Sequence, residues 1–150
     1  MTLVQLSMRL NPLVSAVLRS PLHWFLSSGL MLITVTGRKT GRRYTIPVGY
    51  HEMDDAIVIL VGEAPRKQWW RNYRDERSID IRLRNHVRRG VGRVLDGRSS
   101  EFRERVDASF RRSRLIPWLF GIPFDPGTGL TDEQVRRFDQ QAVAVKVTLD

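Results

Sequence analysis

Apolar residues follow two different spacings along this chain. Up to residue 29 they recur at helical intervals: Leu3, Leu6, Leu10, Leu13, Val14 and Val17 share one side of a helix, with Arg9 off it. Asn11-Pro12 and Ser20-Pro21 each pair a capping residue with proline at the first helical position, and Gly29 supplies a stop. Two short helices meeting near Ser20 are therefore expected over residues 1–29. From Leu30 the spacing becomes alternation, the signature of half-buried strands.

Strands are expected at Leu32–Thr36, Tyr44–Tyr50, Ile57–Val61, Ile79–Leu83, Val87–Leu95 and Ala142–Leu149. Ile46, Val48 and Tyr50 fall on one face of the second, and Pro47, with no N–H to give, belongs at an edge or a bulge. Ile79, Ile81 and Leu83 point inward with Arg82 and Arg84 outward. Val143, Val145, Val147 and Leu149 share a face of the last strand. Asp54-Asp55 and Asn85-His86 read as turns. Between the strands, a short helix is expected over Arg66–Glu76 and another from about Glu101 to Ser113, started by Ser99 or Ser100. An irregular aromatic segment runs from Leu115 to Leu130. Thr131 and Gln134 have capping-box spacing ahead of a final helix. The βαβ rhythm of a doubly wound sheet is missing. The pattern predicts a mainly β (α+β) fold: a barrel of about six antiparallel strands in one domain, residues 1–150, with N-terminal, inserted and C-terminal peripheral helices.

Composition narrows the chemistry. There is no cysteine, which removes disulfides, thiolate metal sites and cysteine nucleophiles. His23, His51 and His86 are far apart and lack metal-ligand spacing; each reads as a surface or barrel-end residue. No Ser-His-Asp set or carboxylate pair emerges, and Asp54, Asp55, Asp75, Glu76, Asp80, Asp132 and Glu133 read mostly as turn and cap residues. No catalytic side chain and no metal site is therefore assigned, and an enzyme built this way would borrow its chemistry from a cofactor. The greasiest stretch, Leu13 to Val35, is broken by Arg19, Pro21 and His23, and it lacks the order of a signal peptide. A cytoplasmic protein is expected, with the segment 1–29 as its point of peripheral membrane contact.

Charge supplies the positive clue. Lys and Arg number 25 against 16 Asp and Glu, for a net charge of +9. All but Lys39, Lys67 and Lys146 of these cations are arginine, whose planar fork fits phosphate and carboxylate oxygens. Arg38, Lys39, Arg42 and Arg43 crowd a turn bounded by Gly37 and Gly41. Its backbone amides and guanidiniums together would hold phosphate, whereas the plainer reading is a solvated hairpin tip. It is no Walker loop, because the Gly-Lys-Ser/Thr ending and the following helix are missing. A second cluster, Arg66 to Arg74, carries Trp69, Trp70 and Tyr73. Adjacent tryptophans on a short helix are not expected to enter one core together; one packs, and the other meets a ligand ring or a second subunit of a homodimer.

These two segments resemble a known family. Leu32-Ile33-Thr34-Val35-Thr36-Gly37-Arg38-Lys39-Thr40-Gly41-Arg42-Arg43-Tyr44-Thr45-Ile46-Pro47-Val48 looks like the TxGRKSGxxRxxP hairpin of the deazaflavin-dependent nitroreductases, within the flavin-reductase-like split β-barrels. Trp69-Trp70-Arg71-Asn72-Tyr73 is similar to that family's WYxNL segment. The likeness covers about Leu30 to Leu95 and implies a split barrel that binds coenzyme F-420, a deazaflavin with a phosphate and an acidic oligoglutamate tail. On the matching positions, Arg38, Lys39 and Thr40 would face the phosphate or tail. Arg43, Tyr44, Thr45, Ile46, Pro47 and Val48, with Val61 and Gly62, would line the ring, and Trp69, Trp70, Asn72 and Tyr73 would close the site. The implied reaction is hydride transfer to an electron-poor small molecule, a quinone or a nitro compound.

The chain departs from the pattern in places. It has no tyrosine after Tyr73; Trp118, Phe120 and Phe124 stand in the comparable stretch as a more apolar lid. Glu63 sits where the family carries small or basic residues. FMN is the alternative cofactor, and haem or lipid occupies such barrels in relatives. The rival readings are a basic binding module with Trp69 and Trp70 as stacking platforms for nucleic acid, which is the less expected partner, and a lipid carrier using residues 1–29.

Overall fold

A computed structural model of the chain describes residues 30–37, 39–53, 55–83, 85–112 and 115–150. The expected helices at 1–29 lie outside the described residues, as do Arg38, Asp54 and Arg84.

Seven strands form one antiparallel sheet. They are β1 (Leu30–Thr36), β2 (Arg43–Gly49), β3 (His51–Met53), β4 (Ala56–Gly62), β5 (Arg77–Leu83), β6 (His86–Val94) and β7 (Ala142–Leu149). Their order across the sheet is β2-β1-β5-β6-β7-β4-β3. The two end strands, β2 and β3, are consecutive in the chain, with only Tyr50 between them. One bent stretch thus pairs with β1 at one end of the sheet and with β4 at the other, which rolls the sheet into a split barrel. The strand expected over Tyr44–Tyr50 accordingly becomes two, because Tyr50 turns into the core and the chain changes partner there. Pro47 does sit on an end strand, opposite Leu32.

Alternation sorts the side chains into two cores. Ile33, Val35, Ile57, Ile59, Ile79, Ile81, Leu83, Val145 and Val147 fill the barrel together with Tyr50, Trp69, Trp70 and Tyr73. The opposite faces of β4 and β7 present Val58, Ala142 and Ala144 to a helical layer. That layer comprises α1 (Ser100–Arg112), α2 (Leu115–Leu119) and α3 (Asp132–Gln141). Phe102, Phe110, Phe120 and Phe138 pack there ring against ring, with centroids 4.9–6.4 Å apart. Ser99 caps α1, its hydroxyl accepting from the Phe102 amide at 3.1 Å. Thr131 and Gln134 make the expected capping box on α3. None of the described helices is long and apolar enough to cross a membrane.

Two expectations fail at 63–76. Instead of one helix, the segment makes two 3-10 turns, Ala64–Arg66 and Trp69–Tyr73, with extended Lys67 between them. Glu63, in the left-handed region at φ 51, starts the first. Trp69 and Trp70 are then both buried in the barrel core, 7 % and 8 % exposed. The tighter turn and the Trp70 indole N–H, which donates to the Ala64 carbonyl at 2.8 Å, allow two adjacent rings to share one interior.

Candidate functional site

The basic turn joins β1 to β2 and is shaped by its own hydrogen bonds. The Gly37 amide donates to Arg42 O at 2.8 Å, the Gly41 amide to Gly37 O at 3.0 Å, and the Arg42 amide to the Thr40 hydroxyl at 3.2 Å. Gly41 takes φ 69, the left-handed region that glycine enters without cost. Those three amides, expected to reach for phosphate, are therefore engaged inside the turn, as is the Thr40 hydroxyl. The side chains of Lys39, Arg42 and Arg43 are exposed at this tip. Arg38 lies outside the described residues.

Beside the turn, at the barrel rim, a cavity of about 330 Å³ is lined by Thr34 and Thr36 of β1, Arg43 of β2, Tyr73, Arg77, Ser78 and Asp80 of β5, and Arg89 of β6. Register explains the convergence. Thr34 lies opposite Asp80, and Asp80 lies opposite Arg89, so three adjacent strands put polar side chains in one row. Asp80 accepts from Arg89 Nε at 3.0 Å on one oxygen and from Arg43 Nη2 at 3.0 Å on the other. The hydrogen bond from Arg89 to Asp80 holds the guanidinium even more firmly protonated than usual. Asp80, expected among the turn and cap acids, is thus a mid-strand residue that spaces two arginines. Three guanidiniums against one carboxylate leave the cavity net positive.

Tyr73 belongs both to the barrel core and to this cavity wall. Its ring meets Trp69 edge to face, centroids 6.1 Å apart. Burial pushes its phenol up to about 12, Arg77 pulling it down and Tyr44 and Asp80 pushing the same way as burial, so it stays neutral and keeps its proton at any working pH. Neighbouring Asn72 is 5 % exposed; its Nδ2 donates to Trp69 O at 2.9 Å, while Oδ1 has no partner. Arg71 Nε is likewise buried and unpaired, although the Arg71 and Arg74 guanidiniums lie 5.6 and 5.2 Å from the Trp70 ring centroid. Buried polar atoms without partners are rare in folded proteins. Burial lowers the Lys67 ammonium, partly offset by Glu63, whose carboxylate is thereby matched by a local cation.

The other expected residues divide. Ile46 and Val48 pack against the barrel core, Thr45 bonds Thr34 hydroxyl to hydroxyl at 3.1 Å, and Tyr44 is exposed at 38 %. Pro47 is half-buried. Val61 and Gly62, at the end of β4, are buried and pair with β7, not with the hairpin. Of the fifteen positions expected to hold cofactor, the cavity takes in Arg43 and Tyr73. It adds Thr34, Thr36, Arg77, Ser78, Asp80 and Arg89, of which Thr34, Asp80 and Arg89 are brought together by register across neighbouring strands. The apolar lid is elsewhere: Phe120 and Phe124 pack in the helical layer, and Trp118 is exposed at 65 % beside a separate groove lined by Pro117, Ile122 and Pro123. Of the histidines, His86 is exposed at the start of β6, whereas His51 is half-buried in β3, and burial with Arg112 keeps it below its ordinary value. Among the described residues no group of three His, Asp or Glu could hold a metal.

Known structures share this architecture. An F420-H2-dependent reductase (FDR-A) superposes with a TM-score of 0.54 at 16 % identity, over 79 % of this chain and 93 % of its own. HutZ, the haem storage protein of Vibrio cholerae, gives 0.55 at 12 % identity over 84 % of each chain. A chain described as a domain-swapped dimer gives 0.53 at 14 % identity, over 89 % of this chain and 98 % of its own. At such identities these likenesses establish the split-barrel fold alone. No curated protein matches the chain in sequence. The F420H(2)-dependent quinone reductase family matches residues 22–112, a stretch that holds the basic turn, the rim cavity and the Trp69–Tyr73 turn together. The chain is therefore a member of the F420H(2)-dependent quinone reductases, oxidoreductases that draw on coenzyme F-420.

Proposed function

We propose that the protein reduces a quinone with reduced F-420, and that the basic turn and the rim beside it hold the anionic end of the cofactor. The observation that carries this reading is the continuity of cations from Lys39, Arg42 and Arg43 into the cavity of Arg77 and Arg89. Such crowding is relieved by a multiply negative ligand, and each charge-assisted hydrogen bond contributes about 1.5–3 kcal/mol. The residues also fit a deazaflavin ring: Asn72 Oδ1 offers a buried, unused acceptor to ring N–H groups.

When bound, F-420 supplies a hydride, which together with a proton from solvent converts quinone to hydroquinone. The protein's part is to position and to shield. Ile46, Pro47 and Val48 on β2, with Val61 and Gly62, give the ring an apolar wall. Trp69, Trp70 and Tyr73, fixed by core packing, exclude water from it, and Asn72 orients it. Arg38, Lys39 and Thr40 stay with the phosphate end, Thr40 by keeping the turn in shape. Arg43, Tyr44 and Thr45 lie between the two regions. A nitro compound is the second acceptor class compatible with this chemistry. A homodimer is part of the proposal, as is a single domain over residues 1–150, supported by one sheet carrying both cores.

Titrating F-420 and FMN separately, with tryptophan fluorescence as the signal, tests the reading. F-420 should quench Trp69 and Trp70 and bind more tightly than FMN. Arg38→Ala with Lys39→Ala should weaken F-420 binding; unchanged affinity would remove the turn from the site. Failure to bind either compound would end the redox assignment.

A further inference from the structure

We infer that the groove beside Trp118 is a self-association surface: Trp118 of one molecule enters the groove of a second copy and receives that copy's Trp118 in return. The inference rests on the homodimer proposed above, to which it gives a definite face, and not on the F-420 assignment. Trp118 is the reason to look here. It is 65 % exposed, whereas Trp69 and Trp70 are buried in the barrel. The groove next to it, about 310 Å³, is lined by Pro117, Gly121, Ile122, Pro123 and Phe124 together with Trp118 itself. None of these carries a charge. All of them lie beyond residue 112, where the family match ends, so the patch is outside the shared framework.

The patch is a rigid platform. Side chains of α1 and α3 fasten the carbonyls of the loop that carries it. Gln141 Nε2 donates to Phe120 O at 3.0 Å, Arg137 Nη2 to Gly121 O at 3.1 Å, Arg111 Nη1 to Pro126 O at 2.8 Å, and Gln134 Nε2 to Pro123 O. Ile116, Phe120 and Phe124 pack against the helical core beneath it. Trp118 therefore stands on a fixed base, and binding through it costs little ordering.

Charge selects the occupant. Residues 96–141, which span the helical layer, hold eight arginines and eight Asp and Glu, so the whole net charge of +9 lies elsewhere in the chain. An anionic lipid surface or a nucleic acid would gain no net attraction from this layer. A second copy meets no net repulsion when two helical layers face each other. Shape agrees, because an exposed indole beside an apolar groove supplies both halves of one contact, which a twofold axis uses twice and closes. A buried aromatic side chain contributes about 150–250 Å², so two indoles and their grooves make a small, weak interface, below about 1,200 Å². The layer packs on β4 and β7, whereas the rim cavity belongs to β1, β2, β5 and β6, so the contact leaves the cavity strands uncovered.

Sedimentation equilibrium of the full-length protein, from micromolar to millimolar concentration, tests the surface. The wild-type protein should pass from monomer to dimer and stop there. Trp118→Ser should raise the dissociation constant about a hundredfold, the cost of losing a central tryptophan anchor. Trp118→Glu should keep the protein monomeric. Each groove includes its own residue 118, so the entering residue meets its counterpart. Mixing Trp118→Glu with Trp118→Lys should therefore restore a dimer that neither forms alone, a rescue that misfolded chains would not show. Wild-type protein that stays monomeric at millimolar concentration overturns the inference and the homodimer with it. A dimer that every variant leaves intact refutes this face while the homodimer stands on another. Growth beyond the dimer overturns the twofold contact. The F-420 reading survives any of these results, since its titration is separate.

Discussion

The aromatic ring of Tyr73 occupies the space that a side chain at Gly92 would need. A Cβ on Gly92 would lie 2.8 Å from Tyr73 Cδ1 and 3.1 Å from Cε1. Gly92→Ala is therefore expected to destabilise the protein by about 1–3 kcal/mol, the usual cost of overpacking a core. Combining it with Tyr73→Leu should recover part of that loss, because the smaller side chain vacates the contested space. Urea melts of the two single variants and the double variant measure the coupling.

Asp80 spaces Arg43 and Arg89 at a partly exposed rim, with the arginine side chains about two-thirds exposed and Asp80 about a quarter. Pairs in such surroundings contribute little to folding. Asp80→Asn is expected to shift stability by less than about 1 kcal/mol. It should nonetheless tighten binding of F-420, since two guanidiniums are released and one repelling charge is gone. The gain should shrink as salt is raised, which titrations in low and high sodium chloride will show.

The helical layer depends on its ends and on its rings. Thr131→Ala removes the acceptor for the Gln134 amide at the start of α3 and should cost about 0.5–2 kcal/mol. Phe138 is fully buried against Phe102, Phe110 and Phe120, and Phe138→Ala should cost about 3–5 kcal/mol. Thermal melts should rank the two variants in that order.

Acid should loosen the junction of α1 with the barrel. Arg105 donates to both oxygens of Asp55, at 2.9 and 2.8 Å, and holds its carboxyl at about 2 against an ordinary 3.8. Glu101 is lowered as well, first by the Lys146 ammonium at 2.9 Å and also by Arg105 and Arg93. A carboxyl lowered in the fold favours folding above its ordinary value and loses that effect as pH falls toward the lowered one. Denaturant midpoints should therefore decline from about pH 4 downward toward pH 2. Asp55→Asn should flatten that part of the profile.

Period and turn chemistry made the fold readable in the sequence. The alternation in 79–83 and 142–149 placed the barrel interior, and Thr131 with Gln134 placed α3. The Trp69–Tyr73 turn was less readable, because helical and 3-10 spacing differ by less than one residue per turn and tertiary packing decided between them. The rim cavity was readable only in part. Arg43 and Tyr73 stand in segments with motifs, whereas Arg77, Asp80 and Arg89 are ordinary alternating polar residues of strands. Their meeting depends on register across β1, β5 and β6, which no local window contains. Asp80 was misread for that reason: an isolated acid near other turn residues resembles a cap until its cross-strand neighbours are known.

The passage of one stretch of chain from β2 through Tyr50 into β3 has a mechanical consequence. The sheet's two margins are a single continuous ribbon, so neither can swing away without dragging the other. Strand exchange with a neighbouring molecule, the usual hazard of an open margin, must begin by straightening that bend and pulling a tyrosine out of the barrel interior. Cleaving the backbone at this bend would remove the covalent link between the two margins and leave side-chain packing alone to hold them together.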